Sequence, residues 1–267
     1  MTKYQNLRKE KMYTIKNAII TGAGRNKGIG AEVCRTFAMH GINVFFTTFD
    51  EYDTLIGGFS CSDYKKTLEE CQSYGVKAFF QCFDLTNTNN IKELFLSAQE
   101  KLGNIDILVN CACYHKSDNI EKIDSKILDI NFNINAKAIL LLCREFFIRF
   151  SGTDGRIVNL SSTQNLEALI SEISYAVSKA SIPVIVSTLA PIMATKGITI
   201  NAVNPGATKI DSKRDKHIDV YLRNNLSGRL GLPKDAANII LFLVSKEGEW
   251  ITGQTINSEG GLFRRIK

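Results

Sequence analysis

The chain of 267 residues is 44% hydrophobic and 22% charged, enough for one α/β domain with a substantial core that needs no disulfide or metal staple. Its 33 basic and 27 acidic residues leave a formal charge of +6, but they are spread along the sequence without an aromatic-basic patch, which speaks against nucleic-acid binding. Seven scattered cysteines, no signal peptide before the first strand and no apolar run approaching a membrane span give the expectation of a soluble cytoplasmic protein.

Residues 1–14 are basic and lack apolar periodicity, so they read as an extension before a single domain at 15–267. Asn17 opens NAIIT, a short buried strand, followed by TGAGRNKGIG and the helical pattern AEVCRTFAMHG. Strand, glycine-rich turn and helix together suit a nucleotide: Gly22 permits the tight turn, Gly28 lets backbone approach a pyrophosphate, and Gly30 lets the helix lie close on the sheet. The helix N-terminus then faces the phosphates. Ile42 to Thr48 reads as the second parallel strand, whose end meets the adenosine ribose. That end carries Thr47, Thr48 and Phe49, with the first acid delayed to Asp50, while Arg25 and Lys27 add positive charge to the glycine loop. NADP(H) is therefore the preferred cofactor near Thr48, and NAD(H) is the alternative if Asp50 curls back to the ribose.

The stretch 51–62, EYDTLIGGFSCS, reads as a loop, followed by a helix at 63–74 and the strand KAFFQCFD. Asp84 at its end either accepts from an adenine amino group or caps a helix in DLTNTNNI. A helix from Asn89 to Leu102 leads to the strand IDILVN and the turn NCAC at 110–113. Cys111 and Cys113 lack a second Cys/His pair at metal-ligand spacing, so they read as small turn residues and no metal site is expected. Strands alternating with helices imply a parallel, doubly wound sheet. The next helix, Ser125 to Phe150, carries Asn135 on an apolar face, either for a purpose of its own or as an amide bonding a nearby carbonyl.

The apolar strand RIVNL then ends at Ser161 and Ser162, and thirteen residues past Ser162 stands Tyr175 with Lys179 four further on. On a helix this spacing puts both side chains on one face, where the ammonium favours the phenolate and brings a weak acid into working range. Ser162 at the strand end is placed to steady a substrate oxygen. Pro183 and Pro191 lie in the helix that continues from Lys179; Pro183 crowds the Lys179 carbonyl and predicts a bend there. ITINAVN forms the sixth strand and turns at Pro205-Gly206, where Thr208 can reach a nicotinamide carboxamide. Residues 209–228 hold five Lys/Arg against three Asp and read as a polar loop or a lid over the substrate. A helix from Pro233 and a seventh strand in WITGQTINSEGG complete a seven-stranded Rossmann sheet.

These marks, TGAGRNKGIG, Asp84-Leu85, NCAC, Asn135, Ser162, Tyr175-x3-Lys179, NPGAT and the GRLGLP and WITGQ segments, occur in one order across Asn17 to Phe263. In that order the chain resembles a short-chain dehydrogenase/reductase, most of all the bacterial 3-oxoacyl-acyl-carrier-protein reductases. The resemblance implies that Tyr175 is the general acid, Lys179 supports it and holds the nicotinamide ribose, Ser162 binds the carbonyl oxygen and Asn135 supports a proton-relay water. It implies that Gly22, Arg25, Gly28, Ile29 and Gly30 line the pyrophosphate side, Thr48, Asp84, Leu85 and Asn110 the adenosine side, and Pro205, Gly206 and Thr208 the nicotinamide. The chain departs from the family pattern in a longer glycine loop, in Cys113 where glycine is usual, and in Ile210 where threonine is common. The expected activity is NADPH-dependent reduction of a small-molecule or acyl-carrier-bound carbonyl by a homotetramer. The alternatives are an NAD-dependent alcohol dehydrogenase and a non-catalytic dinucleotide-binding protein.

Overall fold

The computed structural model describes residues 17–57, 62–163, 168–210 and 218–262. The proposed N-terminal extension and residues 211–217 of the polar loop lie outside them. Seven parallel strands run in the order β3-β2-β1-β4-β5-β6-β7: β1 Asn17–Thr21, β2 Asn43–Thr48, β3 Ala78–Cys82, β4 Ile107–Asn110, β5 Gly155–Leu160, β6 Ile198–Asn204 and β7 Thr255–Asn257. The expected α/β doubly wound sheet is therefore observed.

Alternation along the strands divides the core in two. Ile19, Phe45, Leu108 and Ile157 face a layer formed by α4 (Asn89–Leu102), α6 (Ile139–Arg149) and α8 (Ser181–Ala194). Ala18, Val44, Ile107 and Val158 face the other layer, formed by α1 (Ile29–Met39), α3 (Ser62–Ser73) and α10 (Pro233–Val244). With both faces covered, β1 is apolar between its polar ends and β4 is apolar up to Asn110.

The chain leaves β1 towards β2 and β3, then returns to place β4 on the opposite side of β1. Thr21 and Asn110, the last residues of β1 and β4, are register partners. The crevice beyond them is where such a sheet takes a ligand, because the two connections leave in opposite directions.

Three elements differ from the sequence reading. The stretch read as a loop contains a helix, α2 (Asp50–Gly57), with Asp50, Glu51 and Asp53 in its first turn, where carboxylates favour the helix dipole. Between α5 (Ser125–Phe132) and α6 the helix widens into a π-helical turn, Asn133–Ala138, that contains Asn135. The third is the helix of the tyrosine and lysine. It is divided at Ala180 into α7 (Ile173–Lys179) and α8, and Pro183 falls in the first turn of α8, where its missing N–H costs little. Ala180 keeps a right-handed helical backbone (φ −61°, ψ −18°), so the break is in the hydrogen-bond ladder.

Together Ile173–Ala194 span 22 residues at mean hydropathy 1.5, long and apolar enough to cross a membrane, contrary to the sequence expectation. Here the segment serves as a core helix: Ile182, Val186, Ala190 and Met193 pack in the layer beside β5 and β6.

Candidate active site

At the end of β1 the chain turns at Gly22, whose φ of +72° suits glycine. A Cβ there would also come within 2.5 Å of Ala112 Cα, so the β1 and β4 turns pack backbone against backbone. Gly30 does the same for helix and turn, since a Cβ on it would lie 2.5 Å from the Gly22 carbonyl oxygen. Thr47 Oγ1 accepts from Gly22 N at 3.1 Å, and Thr21 Oγ1 accepts from Ala112 N at 3.1 Å, tying the loop to both strands.

Helix α1 starts at Gly28 without a side-chain cap. Its first turn borders a cavity of about 310 Å³ lined by Gly28, Ile29 and Gly30 together with Ser162, Tyr175 and Lys179. Pro205, Gly206 and Thr208 close its far side. A second cavity of about 270 Å³ shares Gly22, Arg25, Tyr52, Cys111 and Cys113 with the first and extends along Thr48, Phe83 and Leu85. Thr48 Oγ1 is buried at that end without a hydrogen-bond partner among the described residues. An uncapped helix N-terminus and a phenol in one cavity, sharing part of its lining with a second cavity that holds an orphaned hydroxyl, fit a dinucleotide.

Lys179 is almost wholly buried, and its Nζ donates to the Leu160 carbonyl at 2.7 Å, anchoring the ammonium to the end of β5 beneath the cleft. Burial lowers its pKa from the ordinary lysine value, opposed by the nearby Cys113 and Cys111. The Cys111 thiol is itself pushed up to about 12 by burial, so it stays neutral and leaves the lysine charge uncancelled. Tyr175, one turn earlier, is half-buried in the same cavity wall.

Three predicted residues stand away from the cavity walls. Asn135 is buried in the π turn, where its Oδ1 accepts from Tyr114 N and its Nδ2 donates to Tyr114 O, both at 2.9 Å, and to Ser178 Oγ at 3.0 Å. Its amide bonds backbone that is remote in sequence, and so clamps the turn after β4 to α7. Asn110 points into the sheet, its Nδ2 donating to Asn159 Oδ1 at 2.7 Å. Asp84 accepts from Thr86 N at 2.8 Å in a local turn, and the residue that precedes α4 is Thr88.

Residues that sequence reasoning passed over also line the cleft. Asp53 of α2 lies beside Gly24 and Arg25, with Arg25 Nε 3.6 Å from its Oδ1. Burial raises the Asp53 pKa, with Arg25 opposing. Tyr52 OH accepts from His115 N at 2.8 Å, and its ring lies 5.3 Å from that of Tyr114. His115 and Glu172 flank Tyr175.

The family described as Enoyl-(Acyl carrier protein) reductase matches residues 22–263. The chain is 38% identical over 257 residues to the uncharacterized oxidoreductase YjdA of Bacillus subtilis (strain 168), covering 93% of this chain and 97% of that protein. It is 31% identical over 252 residues to the 3-oxoacyl-[acyl-carrier-protein] reductase FabG of Rickettsia bellii (strain RML369-C), with 93% and 97% covered. A short chain dehydrogenase from Burkholderia cenocepacia J2315, solved in complex with NADP, superimposes with a TM-score of 0.84 at 25% identity over 92% of this chain and 97% of that one.

Proposed function

The chain belongs to the short-chain dehydrogenase/reductase family of NAD(P)-dependent oxidoreductases, and from that premise we propose that it uses NADP(H) to reduce a carbonyl, a ketone or 3-oxoacyl group, to an alcohol. The observation that carries this reading is that Ser162, Tyr175 and the anchored Lys179 line the same cleft as the uncapped start of α1.

The nicotinamide, when bound, supplies the hydride. Ser162 Oγ and the Tyr175 hydroxyl hold the carbonyl oxygen, and Tyr175 gives it a proton as negative charge develops there. Lys179 stabilises the phenolate left behind, more strongly in this buried setting than in water. Its charge also suits the ribose hydroxyls next to the nicotinamide. Asn135 keeps the turn after β4 docked on α7, and in this reading also supports the water that returns the proton. Gly22, Arg25, Gly28, Ile29 and Gly30 hold the pyrophosphate side, with Thr48 and Leu85 on the adenosine side and Pro205, Gly206 and Thr208 at the carboxamide, while Asp84 and Asn110, which bond within their own turn and sheet, support that end from behind.

Arg25 and the orphaned Thr48 hydroxyl favour a 2′-phosphate. A second reading, NAD-dependent alcohol oxidation, draws on Asp53: its carboxylate beside Gly24 suits ribose hydroxyls and opposes a phosphate. The assembly is proposed to be a homotetramer built on the two long helices, which leave Leu140, Ile148, Val184 and Ile192 exposed. Work in the cytoplasm is part of the same proposal.

Titration with NADPH and NADH, followed by a ketone and 3-oxoacyl thioester screen with each, tests the reading. Tight NADPH binding with ketone-dependent oxidation is the expected result. Tight NADH binding with loose NADPH binding would give the ribose to Asp53 and favour the dehydrogenase; binding without turnover of any carbonyl would favour a non-catalytic protein.

A further inference from the structure

The wall around Tyr175 carries an ionisable pair that the proposed reaction does not use. His115 Nε2 lies 2.8 Å from Glu172 Oε1, and the imidazole meets the Tyr175 ring edge-on at 4.8 Å between centroids. His115 and Glu172 line the same cavity as Tyr175 and Ser162.

Packing alone gives no reason for this pair. His115 is only 10% exposed through its side chain, and its Nδ1 is buried without a hydrogen-bond partner among the described residues. An imidazole held so leaves a polar atom desolvated and unmatched, a cost that a phenylalanine of similar bulk would avoid. What the imidazole does provide is a fixed donor to Glu172, itself braced by the Tyr175 ring and by the bond from His115 N to Tyr52 OH.

Glu172 is the residue before α7, three positions ahead of Tyr175, and lines the same cavity. Its carboxylate caps no helix N–H, so the helix start does not account for it. One oxygen takes the His115 bond, and the side chain stays 33% exposed into the cavity. A carboxylate has room for about four accepted hydrogen bonds, so acceptor capacity is left in the cavity that Ser162 and Tyr175 also line.

We propose that the His115–Glu172 pair determines substrate specificity: Glu172 accepts a hydrogen bond from a hydroxyl on the carbon next to the reacting carbonyl, so the favoured substrates are α-hydroxyketones. A site built to receive a hydroxyl rejects the analogue that lacks it, because the acceptor loses water to the bound substrate and is then left unmatched. It also disfavours a carboxylate at that position by like-charge repulsion. The inference rests on the carbonyl-reductase reading and deepens it.

The test uses two matched pairs with NADPH: hydroxyacetone against butanone, and 2-hydroxyacetophenone against propiophenone. The expected result is a preference for the hydroxylated member of about tenfold or more in kcat/KM. That preference should fall to near parity in Glu172→Leu and be partly restored in Glu172→Gln, which keeps an acceptor oxygen. Equal use of both members by the parent enzyme, or a preference that survives Glu172→Leu, overturns the proposal. Calorimetric titration of the same compounds into the NADP⁺ complex reads the contact without turnover. Discrimination there in the absence of reduction would sink the carbonyl-reductase reading and keep the Glu172 contact; its absence there would sink the Glu172 contact.

Discussion

A lysine with almost no solvent access is unfavourable unless its charge is used, and Lys179 gains one carbonyl bond in return for its burial. Its folded-state pKa lies below the ordinary value, because burial penalises the charged form. The penalty fades as pH rises through the folded value towards that of the unfolded chain. Relative to Lys179→Met, the parent protein should therefore gain stability as pH is raised through the folded value towards the ordinary lysine value, as denaturation over a pH series would read; a constant gap would mean that the amine is not desolvated. Turnover in the same variant should drop by about 10²–10⁴-fold if the charge supports the phenol. Tyr175 and Lys179 were legible in the sequence because a four-residue spacing on a helix is a local fact. The pairing of His115 with Glu172 was not, because only the docking of the turn after β4 on α7 brings them together.

Among the elements, the strands, the glycine turn and α1 could be read from apolar runs and turn residues, since each is specified within its own segment. Helix α2 could not. Eight residues ending on the first of two glycines make a marginal helix alone, and its supports are non-local: Tyr52 against Tyr114 and the bond from His115 N. Missing it also meant missing Asp53, since the acid expected to approach the ribose was Asp50. If Asp53 opposes a 2′-phosphate, Asp53→Ser should tighten NADPH binding by about tenfold and weaken NADH, measured by nicotinamide fluorescence. The opposite order would mean that Asp53 acts mainly by holding Arg25 in place. The π turn at Asn133–Ala138 likewise escaped the sequence, because one extra residue in a helical turn leaves the surrounding periodicity almost unchanged.

At the scale of the molecule, the sheet leaves its working groups at the carboxyl ends of β1, β4, β5 and β6, on loops held by close backbone packing. The long helices lie beside it with apolar residues on their outer faces, Val184 63% and Ile192 50% exposed. If those faces meet their copies, Val184→Glu with Ile192→Glu should reduce the mass in light scattering from tetramer to dimer or monomer, while a parent protein that is monomeric would remove the interface. In the proposed mechanism the activity depends on one event at the centre of this arrangement, the proton given by Tyr175. The most direct measurement compares ketone-dependent NADPH oxidation and NADPH binding in the parent enzyme and in Tyr175→Phe. Loss of turnover by at least about 10²-fold with binding within about twofold is the predicted result. Substantial reduction by the phenylalanine variant would place the acid elsewhere in the cleft.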